Sequence, residues 1–149
     1  MDRGKQGTKR SLLVEGGGVP IGLSVAGANR NDFKLLEATL QSIPVPRPKP
    51  TKAHPQHACL DKGYDYDEVR AVLHAYGFVA HIRSRGEEAQ AKKRRRGQKA
   101  RRWVVERTHS WFNRFRSILT RWCKKAANYQ GMLCFVCGLT AYRAAGLFG

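Results

Sequence analysis

Residues 57–82 read HACLDKGYDYDEVRAVLHAYGFVAHI, and this stretch decides the fold class. The apolar run HACL (57–60) predicts a buried strand, and FVAHI (78–82) predicts a second strand. Between them, residues 65–76 carry apolar side chains at helical spacing, and Gly77 follows, a residue typical of the position after a helix. Strand, helix and strand in this order indicate a mixed α/β fold.

The N-terminal part of the chain adds two strands and a helix. Residues 9–15 and 19–26 are short apolar runs on either side of the glycines at 16–18, which predicts an antiparallel hairpin. Residues 31–43 carry apolar side chains at helical spacing and predict a helix. The proline-rich stretch 44–50 predicts an extended, exposed linker.

Two long helices are predicted after these elements, over residues 101–121 and 127–147. The three tryptophans are expected mostly in the core, although one could stack on a base. Cys134 and Cys137 have the spacing of a metal-binding pair, but as a single pair within an apolar helix they are expected in the core as well. The apolar stripe of the first long helix is expected to consist of Val104, Trp111, Phe115, Ile118 and Trp122. Its opposite face is expected to consist of Arg102, Glu106, His109, Asn113 and Arg116.

The charge of the chain indicates the class of partner that it binds. The 149 residues include 28 Lys and Arg against 11 Asp and Glu, a formal net charge of +17. Of these, 16 basic and three acidic residues fall in residues 83–125, which therefore carry +13. A content of 42% hydrophobic residues excludes general disorder, and no apolar run reaches the ~18 residues of a membrane span. We expect a cytoplasmic protein with reduced cysteines and a polyanionic partner.

Two acidic residues could carry chemistry. Asp61 follows the predicted strand 57–60, at the end of the strand where α/β sheets bind ligands, although it could equally be a turn residue that caps the helix beginning at Asp65. Glu106 lies among cations, and it could either form an ion pair with Arg102 or hold a divalent metal beside a phosphodiester. Two carboxylates sharing Mg²⁺ can activate a water or a 3′-hydroxyl.

Three segments of the chain resemble one family. They are MDRGKQGTKRSLLVEGGGVPIGLSVAGANRNDFKLLEATL (1–40), CLDKGYDYDEVRAVLHAYG (59–77) and RRWVVERTHSWFNRFRSILTRW (101–122). Together they resemble bacterial insertion-sequence transposases of the DDE class, in the insertion-sequence-five-like group of the four/five superfamily. The resemblance implies a ribonuclease-H-like α/β fold, a mixed sheet flanked by helices. It also implies an Asp-Asp-Glu triad that binds two Mg²⁺ ions, for which Mn²⁺ can substitute.

The resemblance assigns roles to individual residues. It places the second Asp at Asp61 and the Glu at Glu106, as catalytic residues and metal ligands. In the signature around the Glu, Arg102 matches the family's Arg, whereas Lys99 replaces a Tyr and Asn113 replaces a Lys. The residues expected to bind DNA are Lys92, Lys93, Arg94, Arg95, Arg96, Arg102, Asn113 and Arg116.

The family's first Asp lies on a first strand upstream of the segment with which this chain begins. We therefore expect a C-terminal part of the catalytic domain, with a strand and helix core (1–82), a basic loop (83–100) and C-terminal helices that carry Glu106 (101–149). The expected function is Mg²⁺-dependent cleavage and strand transfer at insertion-sequence ends, within a complete bacterial transposase associated with the nucleoid. Double-stranded DNA at the ends and the target is the expected partner, together with an upstream transposase half or a second copy.

Alone, the chain is expected to bind DNA without catalysis. Two alternatives stay open: a non-enzymatic basic DNA-binding product and a degenerate transposase remnant.

Overall fold

A computed structural model describes residues 7–82 and 103–147. The chain divides into two compact units. Within the described ranges, the first unit comprises residues 7–44 and 104–147, and the second comprises residues 45–82 with Trp103.

The first unit begins with the predicted hairpin. Strand β1 (Thr8–Val14) pairs antiparallel with β2 (Pro20–Gly27), and the register shifts between Leu13 and Val14. A short 3₁₀ turn (Asp32–Leu35) leads into helix α1 (Leu36–Gln41), which contacts both strands. The hairpin and the helix predicted over 31–43 are therefore confirmed, the latter as two shorter pieces.

Three helices complete the first unit: α3 (Trp103–Phe112), α4 (Arg116–Leu119) and α5 (Ala126–Ala144). They pack on β2 through one apolar core, in which the Tyr129 hydroxyl donates to the Ile118 carbonyl at 2.9 Å. The buried members of this core are Leu23, Phe112, Ile118, Tyr129, Leu133 and Val136.

The single helix predicted over 101–121 is wrong. Helix α3 ends at Phe112, and a turn formed by residues 113–115 separates it from α4. This break lets Phe112 and Ile118 enter the same core, each 1% exposed. Burial of two large apolar side chains outweighs the modest gain from continuing the helix.

The expected core position of the tryptophans is wrong for two of the three. Trp122 is 81% exposed and Trp103 is 44% exposed, so neither is a core residue. Cys134 is exposed as well, whereas Cys137 is partly buried against the core, so the prediction is right for one cysteine of that pair.

The second unit is a strand–helix–strand unit. Strand β3 (Gln56–Leu60) pairs parallel with β4 (Phe78–Ile82), and helix α2 (Asp67–Ala75) connects them. Its core contains Ala58, Val69, Leu73 and Ile82. Gly77 has a φ of +75°, the left-handed conformation expected of a residue that ends a helix.

Strand β3 is less buried than its apolar sequence predicts. His57 and Cys59 are exposed, and Ala58 between them is buried, because only one face of the two-stranded sheet is covered within the described residues. Residues 44–50 form neither helix nor strand and are mostly exposed, as predicted.

The described residues thus confirm a mixed α/β protein with small sheets and helices. None of the helices in the described ranges combines the length and hydropathy that crossing a bilayer requires.

Candidate catalytic carboxylates and their surroundings

Asp61 lies directly after β3, at the carboxyl end of the strand. Its Oδ1 accepts a hydrogen bond from the Lys62 backbone N–H at 2.7 Å and so caps the 3₁₀ turn Lys62–Tyr64. The side chain is exposed. An ionised carboxylate offers about four lone-pair sites, so accepting this one bond does not prevent Asp61 from ligating a metal.

Glu106 lies in the first turn of α3 and is exposed. The two residues that follow it hold this turn of the helix against the glycine-rich hairpin turn. The Arg107 guanidinium donates to the Gly17 carbonyl and lies over the Trp111 ring, 4.9 Å from its centroid. The Thr108 hydroxyl, fully buried, lies 2.8 Å from the Gly18 carbonyl. The hairpin turn therefore fixes the part of α3 that presents Glu106.

Gly18 is the residue on which this contact depends. Its φ is +93°, and a Cβ added there would lie 2.8 Å from Arg107 Nη2 and 3.2 Å from Thr108 Oγ1. Sequence reasoning assigned the three glycines to a turn and missed their contact with α3, since the partners lie 90 residues apart.

We expect Gly18→Ala to lower the free energy of unfolding by about 1–2 kcal/mol from the left-handed backbone alone. The close approach to Arg107 and Thr108 adds to that loss. Gly16→Ala is the matched control, because nothing lies within 4 Å of its added Cβ. Urea denaturation of both variants measures the difference, and equal stability of the two would contradict the role given to Gly18.

Glu15 closes the same hairpin turn. Its carboxylate accepts from the backbone N–H groups of Gly17 at 2.8 Å and Val19 at 3.0 Å. These bonds, that from Gly17 first, lower the pKa of Glu15 below its ordinary 4.5; desolvation opposes them and the nearby Arg107 cation assists them. The turn is thus held more firmly when Glu15 is ionised.

The direction of this pKa shift predicts a pH dependence. A carboxyl whose pKa is lower in the folded state stabilises that state above pH 4.5, and the stabilisation is lost as the pH falls through the folded-state pKa. We expect Glu15→Gln to make the acid-induced fall in unfolding free energy shallower below about pH 4.5. Denaturation curves between about pH 3 and 6 test this. Glu37→Gln, outside the turn, is the control, and an unchanged pH profile for Glu15→Gln would contradict the assignment.

The polar face predicted for α3 is only partly formed as expected. Asn113 lies beyond the end of α3, and its Oδ1 accepts from Arg10 Nη2 at 3.0 Å. His109 is partly buried; burial lowers its pKa and the Arg10 cation lowers it further, so both effects favour the neutral imidazole. Arg116 is exposed at the first residue of α4. Sequence reasoning missed Arg10, which joins this face from β1.

The predicted site residues are distributed over both units. Asp61 belongs to the second unit and Glu106, Asn113 and Arg116 to the first. Arg102 and the run Lys92, Lys93, Arg94, Arg95 and Arg96 lie outside the described residues.

The two carboxylates suit one class of metal. Exposed carboxylate oxygens are the donors that Mg²⁺ and Mn²⁺ prefer, so the donor chemistry of Asp61 and Glu106 fits such an ion. Over residues 7–82 and 103–147, no group of three or more His, Cys, Asp and Glu side chains is placed to hold a metal. Asp61 and Glu106 thus each offer one carboxylate to a metal of this class.

Comparison with known proteins identifies the family of the chain. Residues 58–141, which include both carboxylates, match the family described as "Transposase DDE domain". The Burkholderia cepacia protein named "Putative transposase for insertion sequence element IS402" is 32% identical to this chain over an aligned length of 151 residues. The alignment covers 96% of this chain and 68% of that protein. No solved structure matches the chain. The chain therefore belongs to the DDE transposase family of insertion sequences.

Proposed function

We propose that this chain supplies two of the three metal-binding carboxylates of a transposase that cleaves and joins DNA at insertion-sequence ends. The observation that carries the proposal is the position of Asp61 at the carboxyl end of β3, within the stretch that matches the DDE domain. Glu106, in the same stretch and exposed on α3, is the second ligand. The first Asp of the triad comes from a strand upstream of residue 1, in a ribonuclease-H-like sheet.

Phosphodiester chemistry of this kind asks little of the protein beyond positioning and charge. When bound, Mg²⁺ neutralises phosphate charge and favours the deprotonated form of an attacking hydroxyl. Asp61 and Glu106 would hold the ions through their carboxylate oxygens, and the contact of the hairpin turn with Arg107 and Thr108 keeps the first turn of α3, which carries Glu106, in place. In the first reaction, water attacks phosphorus and a 3′-hydroxyl leaves. In the second, that 3′-hydroxyl attacks a phosphorus atom of the target backbone, the target's P–O3′ bond breaks, and the target's 3′-hydroxyl leaves.

The basic residues of 83–125 are proposed to hold the DNA backbone. Arg116 is exposed on α4 and can reach phosphate, whereas Asn113 contributes through its amide while Arg10 holds its oxygen. Basic side chains that neutralise phosphates release counterions, which makes affinity depend steeply on salt. The remaining contacts are proposed for Lys92, Lys93, Arg94, Arg95, Arg96 and Arg102.

The proposed organisation keeps a strand and helix core (1–82), a basic segment (83–100) and a helical segment that carries Glu106 (101–149). Because two carboxylates do not make a complete site, catalysis requires the upstream transposase segment. That segment is supplied by the same polypeptide or by a separate half, acting in the bacterial cytoplasm at the nucleoid, and a second copy of the chain can join the assembly.

A polypeptide of residues 1–149 tests this proposal. We expect it to bind duplex DNA and to give no Mg²⁺-dependent nicking or joining of DNA that carries the element's ends. Fusion to the upstream family segment is expected to restore both reactions. Robust nicking by the 149-residue polypeptide, abolished by Asp61→Ala, would show that these residues alone form a complete site and would overturn the proposal.

A further inference from the structure

Two histidines lie side by side on the exposed face of the parallel sheet. His57 on β3 and His81 on β4 are both exposed, and each precedes a buried residue of the same strand, Ala58 and Ile82 respectively. In the strand register, His57 is level with Val79 and His81 is level with Cys59, so the two imidazoles are diagonal neighbours across the strand pair. The transposition chemistry proposed above uses neither of them.

The two imidazole rings face each other with one nitrogen atom each. His57 Nδ1 lies 2.8 Å from His81 Nε2, and the ring centroids are 4.9 Å apart with an interplanar angle of 41°. In this contact one imidazole donates its N–H and the other accepts with its lone pair. Moving the shared proton to the other nitrogen of the donor ring, by exchange with solvent, leaves one lone pair on each of the two facing nitrogens.

We propose that His57 and His81 form a two-imidazole binding site for a borderline transition-metal dication such as Ni²⁺ or Zn²⁺. Metal–nitrogen bonds of about 2.0–2.1 Å at angles of about 90–109° require the two nitrogens to be about 2.9–3.4 Å apart. From the observed 2.8 Å the two nitrogens must separate slightly, and each ring must turn so that its lone pair points at the metal; exposed side chains allow both movements. Both rings bind in the neutral form, and the displaced proton stays on the donor ring.

This site differs from the carboxylates in the metal it selects. Imidazole nitrogen suits Ni²⁺, Cu²⁺ and Zn²⁺, whereas Mg²⁺ prefers oxygen. The described residues include no preformed group of three metal-ligating side chains, so water fills the remaining positions. Cys59, exposed and level with His81, is the nearest residue in the register that could add a thiolate.

The experiment is calorimetric titration of the folded chain with NiCl₂, in the presence of a non-chelating phosphine reductant. We expect one equivalent to bind, and either His57→Ala or His81→Ala to weaken binding at least about tenfold, because the second ligand is lost. His74→Ala is the matched control, since it removes an exposed imidazole from α2 of the same unit. Cys59→Ser separates a thiolate contribution from the imidazole pair.

A second measurement on the unaltered chain removes the dependence on variant folding. Substoichiometric Ni²⁺, which is paramagnetic, is expected to broaden the imidazole NMR signals of His57 and His81 together, ahead of those of His54 and His74. Equal broadening of all four histidines, or undiminished calorimetric binding in both His57→Ala and His81→Ala, would overturn the proposal. Neither result bears on the Mg²⁺-dependent reaction, so the two proposals fail separately.

Discussion

Asp61→Asn and Glu106→Gln, each in a transposase that includes the upstream segment, are expected to lower end cleavage at least about 10³-fold. Each amide keeps the size of the side chain and removes the negative charge that binds a hard cation. Asp61→Asn keeps an oxygen that can accept from the Lys62 N–H, so the turn after β3 is retained. The loss is therefore expected in the cleavage rate, while the unfolding temperature changes little.

The matched control is Asp67→Asn, which neutralises another exposed carboxylate six residues along the same segment, in the first turn of α2. We expect that variant to cleave at the unaltered rate. Cleavage is measured on DNA carrying the element's ends, with Mg²⁺ and then with Mn²⁺. If Asp61→Asn and Asp67→Asn behave alike, Asp61 is not a metal ligand.

The second large effect is expected on the salt dependence of DNA binding. Replacing Lys92, Lys93, Arg94, Arg95 and Arg96 together with glutamine is expected to weaken DNA binding at low salt. If all five contact phosphates, the slope of log affinity against log salt becomes shallower by up to about 4.5. Fluorescence anisotropy with a labelled duplex at about 50–200 mM salt measures this slope.

A second variant separates DNA binding from catalysis. Glu106→Gln removes one negative charge among many cations, so we expect DNA affinity to stay the same or to rise. A slope that is unchanged when the five residues 92–96 are neutralised would place the DNA contacts elsewhere. A collapse of affinity in folded Glu106→Gln would show that Glu106 binds DNA itself and would overturn its separate metal-binding role.

Local patterns predicted the elements whose formation depends on local chemistry. The glycines at 16–18 between two apolar runs predicted the β1–β2 hairpin, and Gly77 predicted the end of α2, where its φ of +75° is observed. The apolar runs 57–60 and 78–82 predicted β3 and β4 with nearly the observed bounds. At the turns glycine permits a backbone that other residues rarely adopt, and in the strands the apolar run marks the residues to be buried.

The break between α3 and α4 was not predictable in this way. Phe115 and Ile118 continue a helical spacing from Trp111, so periodicity alone favours one long helix. The structure instead buries Phe112 and Ile118 against Tyr129 of α5, a choice made by packing between elements. The same packing leaves Trp122 exposed and partly buries Cys137, where desolvation first and the neighbouring Cys134 second raise the thiol pKa to about 12.

Residue type indicated the candidate site residues, whereas the contacts that hold α3 in place are formed by residues far apart in the sequence. Asp61 was marked by its place after a strand and Glu106 by its cationic surroundings and the family resemblance. Gly18 with Thr108 and Arg10 with Asn113 are separated by 90 and 103 residues in the chain, and no local pattern links them. These contacts depend on how the hairpin packs against α3 in the first unit, which the sequence pattern does not specify.

The proposal that Asp61 and Glu106 are both metal ligands is tested most directly by Mn²⁺ titration of the folded chain, followed by amide NMR. We predict that substoichiometric Mn²⁺ broadens the amide signals of Lys62 and Arg107, which adjoin the two carboxylates. We also predict that Asp61→Asn reduces the broadening at Lys62 and that Glu106→Gln reduces it at Arg107. Undiminished broadening at Lys62 in Asp61→Asn, or at Arg107 in Glu106→Gln, would contradict the proposal.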